Sequence, residues 1–175
     1  IVVSLCLVDS GYDTDSAYDF CASNSDWAMP VKGSSNPMMS HFKLSTINRA
    51  TSKAHGMNLV IVDTDKYKDM IASRMKKENG KGAWMVYQGC DREYAEQVTA
   101  EHKVNIKSGS RMIQRWVQKH SHGDNHYLDC SVYEMAAADI LGVRTLHLQE
   151  EEPAPVEEVR ETPEENWIGA NENWL

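Results

Sequence analysis

The sequence predicts an α/β domain with a mixed central sheet flanked by helices, and three observations carry that expectation. Two largely apolar runs rich in Val, Ile and Leu, 1–9 and 58–63, read as buried strands, and each ends on an aspartate. Stretches with helical spacing follow both runs. After Leu148 the composition changes to an acidic stretch holding three of the five prolines, which predicts a flexible tail over 149–175 behind a domain spanning 1–148.

Taken in order, "IVVSLCLVD" is a central strand. Asp13 or Thr14 caps a short helix through Ala22, with Ala17, Tyr18 and Cys21 on one face. "WAMPVKG" is a brief extended piece broken by Pro30, "NPMM" a loop, and "FKLSTI" a strand. Asn58 to Asp63 forms the second strong strand. "DTDKYKDMIASRMKK" then starts a helix capped by Asp63 or Thr64, with Tyr67, Ile71 and Met75 on one stripe. "DREYAEQVTAEH" predicts another helix, and "KVNIK" and "MIQRWVQK" alternate like two strands joined at 108–110. The clearest helix is "NHYLDCSVYEMAAADILG", capped by Asp124 or Asn125 and stopped at Gly142.

The net charge of -8 is unevenly spread. Residues 144–175 hold nine Glu against two Arg, whereas 66–119 carry twelve Lys or Arg against six acids, enough for a basic face suited to phosphate. Lys66, Arg111, Arg115 and Lys119 are its candidate DNA contacts, with a solvated mixed surface as the plainer reading. Cys6, Cys21, Cys90 and Cys130 lack Cys-x-x-Cys spacing and read as reduced thiols rather than as a disulfide frame or zinc site. No apolar stretch reaches the roughly 18–20 residues of a membrane helix, so a soluble protein is expected. The chain opens within a strand-like run, which predicts an upstream domain.

Asp9 and Asp63 taken singly are ordinary loop starts, and Asp129, one turn into the last helix, is by itself a helix-dipole partner. Together they predict more. Strand ends side by side, crossed by the first turn of a closing helix, would bring three carboxylates within a few ångströms, an arrangement that needs divalent cations to hold the charge. Oxygen ligands with no cysteine nearby favour Mg2+ or Mn2+, and two such ions would support phosphodiester hydrolysis.

Strand with Asp, strand with Asp, closing helix with Asp is the order that resembles the ribonuclease H-like nucleases. "VDSG", "LVIVDTDKYKDMIASRM", "EYAEQVTAE" and "NHYLDCSVYEMAAADILG", in that order, resemble the nuclease half of the large terminase subunit of lambda-type tailed phages, over about residues 1–143. The resemblance implies an endonuclease that cuts concatemeric phage DNA during packaging in the cytoplasm of the infected host. An upstream ATPase motor, the small terminase subunit and the capsid portal are its implied partners. It implies metal binding by Asp9, Asp63 and Asp129, with Asp65 an alternative to Asp63. His126 stands where an acid is expected in many relatives; its roles would be outer ligand, general acid or base, or phosphate contact, against a plain surface histidine. Gln97 and Glu101 fall in a matching motif and are candidates for structural roles.

Glu-Asn-Trp recurs seven residues apart in "ENWIGANENWL", so on a helix Trp167 and Trp174, with Ile168 and Leu175, share a face that suits docking to a partner. Rival readings are weaker. Glu101 and Lys103 have the spacing of another nuclease class but sit where a helix is expected to end. His120 and His122 lack a zinc-hydrolase helix. The alternative of another kind is a non-catalytic module that docks DNA or the portal on the same scaffold.

Overall fold

The computed structural model describes residues 2–121 and 123–146. Trp167, Trp174 and Leu175 of the expected docking motif, and the tail that carries them, lie outside the described residues. Residues through Thr145 form one compact unit.

Four strands, β1 (Cys6–Asp9), β2 (Ala28–Gly33), β3 (Phe42–Thr46) and β4 (Asn58–Val62), form one sheet in the order β1-β2-β4-β3. The first three neighbours are parallel, and β3 is antiparallel at the edge. Helix α1 (Thr14–Ser23) links β1 to β2, and α2 (Thr64–Met75) follows β4 directly. After α3 (Arg92–Val98), β5 (Glu101–Ser108) and β6 (Arg111–Gln118) make a separate antiparallel ribbon turning at Gly109, whose φ of +62° suits a residue without Cβ. Helix α4 (His126–Ile140) closes the unit and ends before Gly142, φ +68°.

Alternation along the strands sorts the two faces of the sheet. Val31, Val60 and Val62 meet Tyr67 and Ile71 of α2 and Leu128, Val132 and Ala136 of α4 in the main core. Leu59, on the other face, packs in a smaller cluster with Tyr18 of α1, Ile47 and Ala54. Helices therefore cover both faces, and the strands can be apolar throughout.

Three sequence expectations are corrected here. The run 1–9, expected as a central strand, forms only the four residues of β1 at an edge of the sheet, and Val2 and Val3 before it are exposed because no second neighbour strand covers them. The "WAMPVKG" segment is a full interior strand, not a broken piece. Pro30 is tolerated because the β2–β4 ladder begins only at Val31, and bonds to β1 fall on odd positions of β2, from Cys6 N–H to Trp27 and Ser10 N–H to Val31. The proline nitrogen thus points where no donor is needed. The third helix stops at Val98 rather than His102, and Glu101 already begins β5. The Glu101–Lys103 pair therefore lies on a strand, but it faces α2: Glu101 meets Lys68 and Lys103 meets Asp69. Among the described residues, no helix is long and apolar enough to cross a membrane.

Candidate active site

Asp9 and Asp63 leave the sheet at the same edge, because β1 and β4 both run parallel to β2. They are not neighbours, however. β2 stands between them, and since Asp9 is level with Val31 and Val31 with Val60, Asp63 lies three residues farther along. Two strand spacings of about 4.8 Å and three rises of about 3.3 Å put their Cα atoms about 14 Å apart. That is too far for both carboxylates to ligate one ion with bonds of about 2.1 Å. The expected convergence of three carboxylates is thereby reduced to two.

Asp63 is buried and engaged in the fold. Its Oδ2 accepts the Met38 N–H at 2.9 Å, and its Oδ1 accepts the Lys66 N–H at 3.3 Å as the N-cap of α2. Asp65 faces Arg115 at 3.4 Å. Neither lines the cleft described next.

That cleft, about 430 Å³, lies between the end of β1 and one stripe of α4. His126, Asp129, Cys130, Tyr133, Glu134 and Ala137 recur at helical spacing along it, while Leu128, Val132 and Ala136 turn to the core. Asp9 faces them from the sheet, exposed to solvent, its Oδ1 accepting the Gly11 N–H at 2.8 Å. A Cβ at Gly11 would come within 3.1 Å of that oxygen, so glycine keeps the turn open. Cys6 and Cys130 also line the cleft, which corrects the expectation that no thiol stands near the carboxylates. All four cysteines are free.

Asp129 is held by its surroundings. Asn125 Nδ2 donates to its Oδ2 at 3.1 Å, and the Lys68 ammonium stands 3.5 Å from its Oδ1. Burial raises its pKa above the ordinary 3.8; Lys68 opposes the rise, and the charges of Glu101 and Asp9 add to it. Burial also pushes the Tyr133 phenol well above its usual range, with Asp9 and Asp129 contributing. The cleft thus gathers negative charge, and Lys68 only moderates the resulting rise at Asp129.

Lys68 is the site residue that sequence reasoning missed. It is buried, and its Nζ donates to Glu101 Oε1 at 2.7 Å. The available signal was its place on the α2 stripe: Lys68, Ile71 and Met75 fall at i, i+3 and i+7. Gln97 proves structural, its Oε1 accepting the Tyr127 N–H at 3.3 Å in the first turn of α4.

The candidate DNA contacts differ in freedom. Lys66 Nζ donates to the carbonyls of Met38 and Met39 at 2.6 and 2.8 Å and so braces a loop. Arg115 is held by Asp65 and the Ser35 carbonyl, each at 3.4 Å. The Lys119 side chain is exposed, and that of Arg111 lies outside the described part. His126 stands open at the mouth of the cleft, 78% exposed and 3.7 Å from Asp124. Among the described residues no three His, Cys, Asp or Glu side chains form a preformed metal cage.

No curated protein and no solved structure matches this chain. A family model does: the endonuclease domain of terminase large subunit gpA matches residues 1–150. Matched over most of its length, the chain belongs to the gpA endonuclease-domain family of terminase large subunits, nucleases of phage DNA packaging.

Proposed function

We propose that this domain is a metal-dependent endonuclease that cuts concatemeric phage DNA during packaging, with Asp9 and Asp129 as the ligands of Mg2+ or Mn2+. The observation that carries the reading is their placement on opposite walls of one cleft. The fit rests on donor chemistry: hard cations bind through one or two carboxylates and complete their shell with water and substrate phosphate. A second ion would then take its further ligands from the DNA, since Asp63 lies too far away. When bound, such ions make a water nucleophilic near neutral pH and neutralise charge on the leaving oxygen.

The chain's own groups do the positioning. Asn125 and Lys68 orient Asp129, and Gly11 fixes Asp9. Tyr133 keeps its phenolic proton at working pH and acts as a donor in the cleft. His126 at the mouth contacts phosphate or carries a proton. Lys119 and Arg111 are the remaining candidates for backbone phosphate, which is bound without sequence readout. Site-specific cutting therefore relies on the small subunit and the upstream motor, and portal docking on Trp167 and Trp174. The ribonuclease H-like assignment belongs to the same proposal, supported by the parallel strands, the antiparallel edge and α4 crossing β1.

Plasmid cleavage in Mn2+, Mg2+ and EDTA tests this, beside Asp9→Asn and Asp129→Asn proteins shown by circular dichroism to be folded. Cleavage is expected only with metal and in neither variant. Activity that survives EDTA, or variants that match wild type, would overturn the reading.

A further inference from the structure

We propose that Lys68 is a positioning residue for Asp129, its buried ammonium shared between Glu101 and Asp129 so that α2 and β5 together set how the α4 carboxylate enters the cleft. The inference rests on the nuclease reading and adds to it a device on the far side of the carboxylate from the DNA.

Three observations carry it. The pair is costly and not needed for attachment. Buried ion pairs lose about as much in desolvation as they gain, and apolar replacements are often as stable. The β5–β6 ribbon is already tied to α2 by Lys103–Asp69, Trp116–Asp69 and Arg115–Asp65. A leucine at 68 would suit a helix whose neighbours Tyr67 and Ile71 are fully buried.

Second, Asn125 gives up the role its position favours. It occupies the N-cap of α4 yet makes no side-chain cap bond. Its amide instead donates to Glu101 Oε1 at 2.8 Å and Asp129 Oδ2 at 3.1 Å, while Gln97 supplies the missing acceptor. Asparagine is among the residues most favoured at an N-cap. A residue that favours the cap is used to clip Glu101 to Asp129.

Third, the geometry is graded. Lys68 Nζ is 2.7 Å from Glu101 and 3.5 Å from Asp129. Glu101 is thus the anchor, and Asp129 feels the charge while keeping its outer oxygen positions for the cleft. Groups that orient metal-binding carboxylates in this way are worth about 10–100-fold in metal affinity or activity.

The test uses the whole 175-residue protein. Lys68→Gln with Glu101→Gln removes the closer ion pair as a unit and leaves Asp129 its Asn125 hydrogen bond, and Lys103→Gln is the comparison at the same junction without contact to Asp129. Mn2+ affinity is measured by calorimetry, and kcat and KM for plasmid DNA separately. The double variant is expected to lose about 10-fold or more in both Mn2+ affinity and kcat with KM for DNA little changed. Lys103→Gln is expected to change neither, and Lys68→Arg to recover part of the loss. A folded double variant with wild-type Mn2+ affinity and kcat overturns the proposal, as does equal loss in Lys103→Gln. Should Asp129→Asn also bind Mn2+ like wild type, the metal reading itself fails, and the role of Lys68 falls with it.

Discussion

Asp9 and Asp63 both stand where a parallel strand leaves the sheet, but β4 runs straight into α2 whereas Ser10, Gly11, Tyr12 and Asp13 separate β1 from α1. At β4 the first helical N–H groups arrive at once, and the strand-end carboxylate must cap them. At β1 that task passes to Asp13, whose side chain accepts the Ser16 N–H, and Asp9 is left for the cleft. Position in the sheet reinforces the difference. Asp63 is roofed by the loop at Met38, while Asp9 ends a strand that α4 crosses. A charge at a strand end is thus free for chemistry only when another residue caps the helix that follows.

The sharpest way to break this contrast is to neutralise both positions. Asp63→Asn, which preserves a capping oxygen, is expected to cut plasmid DNA close to the wild-type rate in Mn2+, while Asp9→Asn is inactive. Loss of cleavage in a folded Asp63→Asn protein would return Asp63 to the site. The complementary substitution, Asp63→Ala, removes the cap of α2 and the acceptor of Met38, and should lower stability by about 1–2 kcal/mol in urea titration. No change in the midpoint would show that α2 does not depend on this cap.

A smaller effect concerns Asp129. Its carboxyl has a folded pKa above 3.8, so the folded state holds that proton more tightly than the unfolded chain does. This favours the folded state at low pH, and the advantage disappears as pH rises through the folded pKa. Asp129→Asn should therefore melt higher than wild type at pH 7, and the gap should close as pH approaches 3.8. A variant less stable at pH 7 would mean that its contact with Lys68 outweighs the cost of burial.

Much of this was legible in the sequence because it is periodic. The run at β4, the α2 and α4 stripes and the alternating ribbon all announce themselves within a dozen residues, and the α4 stripe carries Asp129 and His126 to one cleft with Asp9. What failed depends on distant partners. Pro30 is permitted by a ladder register that no local pattern encodes, and past the end of α3 Glu101 pairs with Gln118 in the ribbon and meets Lys68, 33 positions away. The order β1-β2-β4-β3, which separates Asp9 from Asp63, is likewise a property of the assembled sheet.

The exchange of caps at α4 bears on more than the helix itself. Gln97 accepts the Tyr127 N–H across 30 positions of chain, so a donor that the helix itself leaves without a partner is satisfied from α3. Amide exchange should show it: in Gln97→Ala the first turn of α4 loses protection while β4 keeps its own. The packing of α3 against α4 thus reaches Asp129 through the turn that carries it, so a change in α3 can be felt at the cleft without touching any residue that lines it.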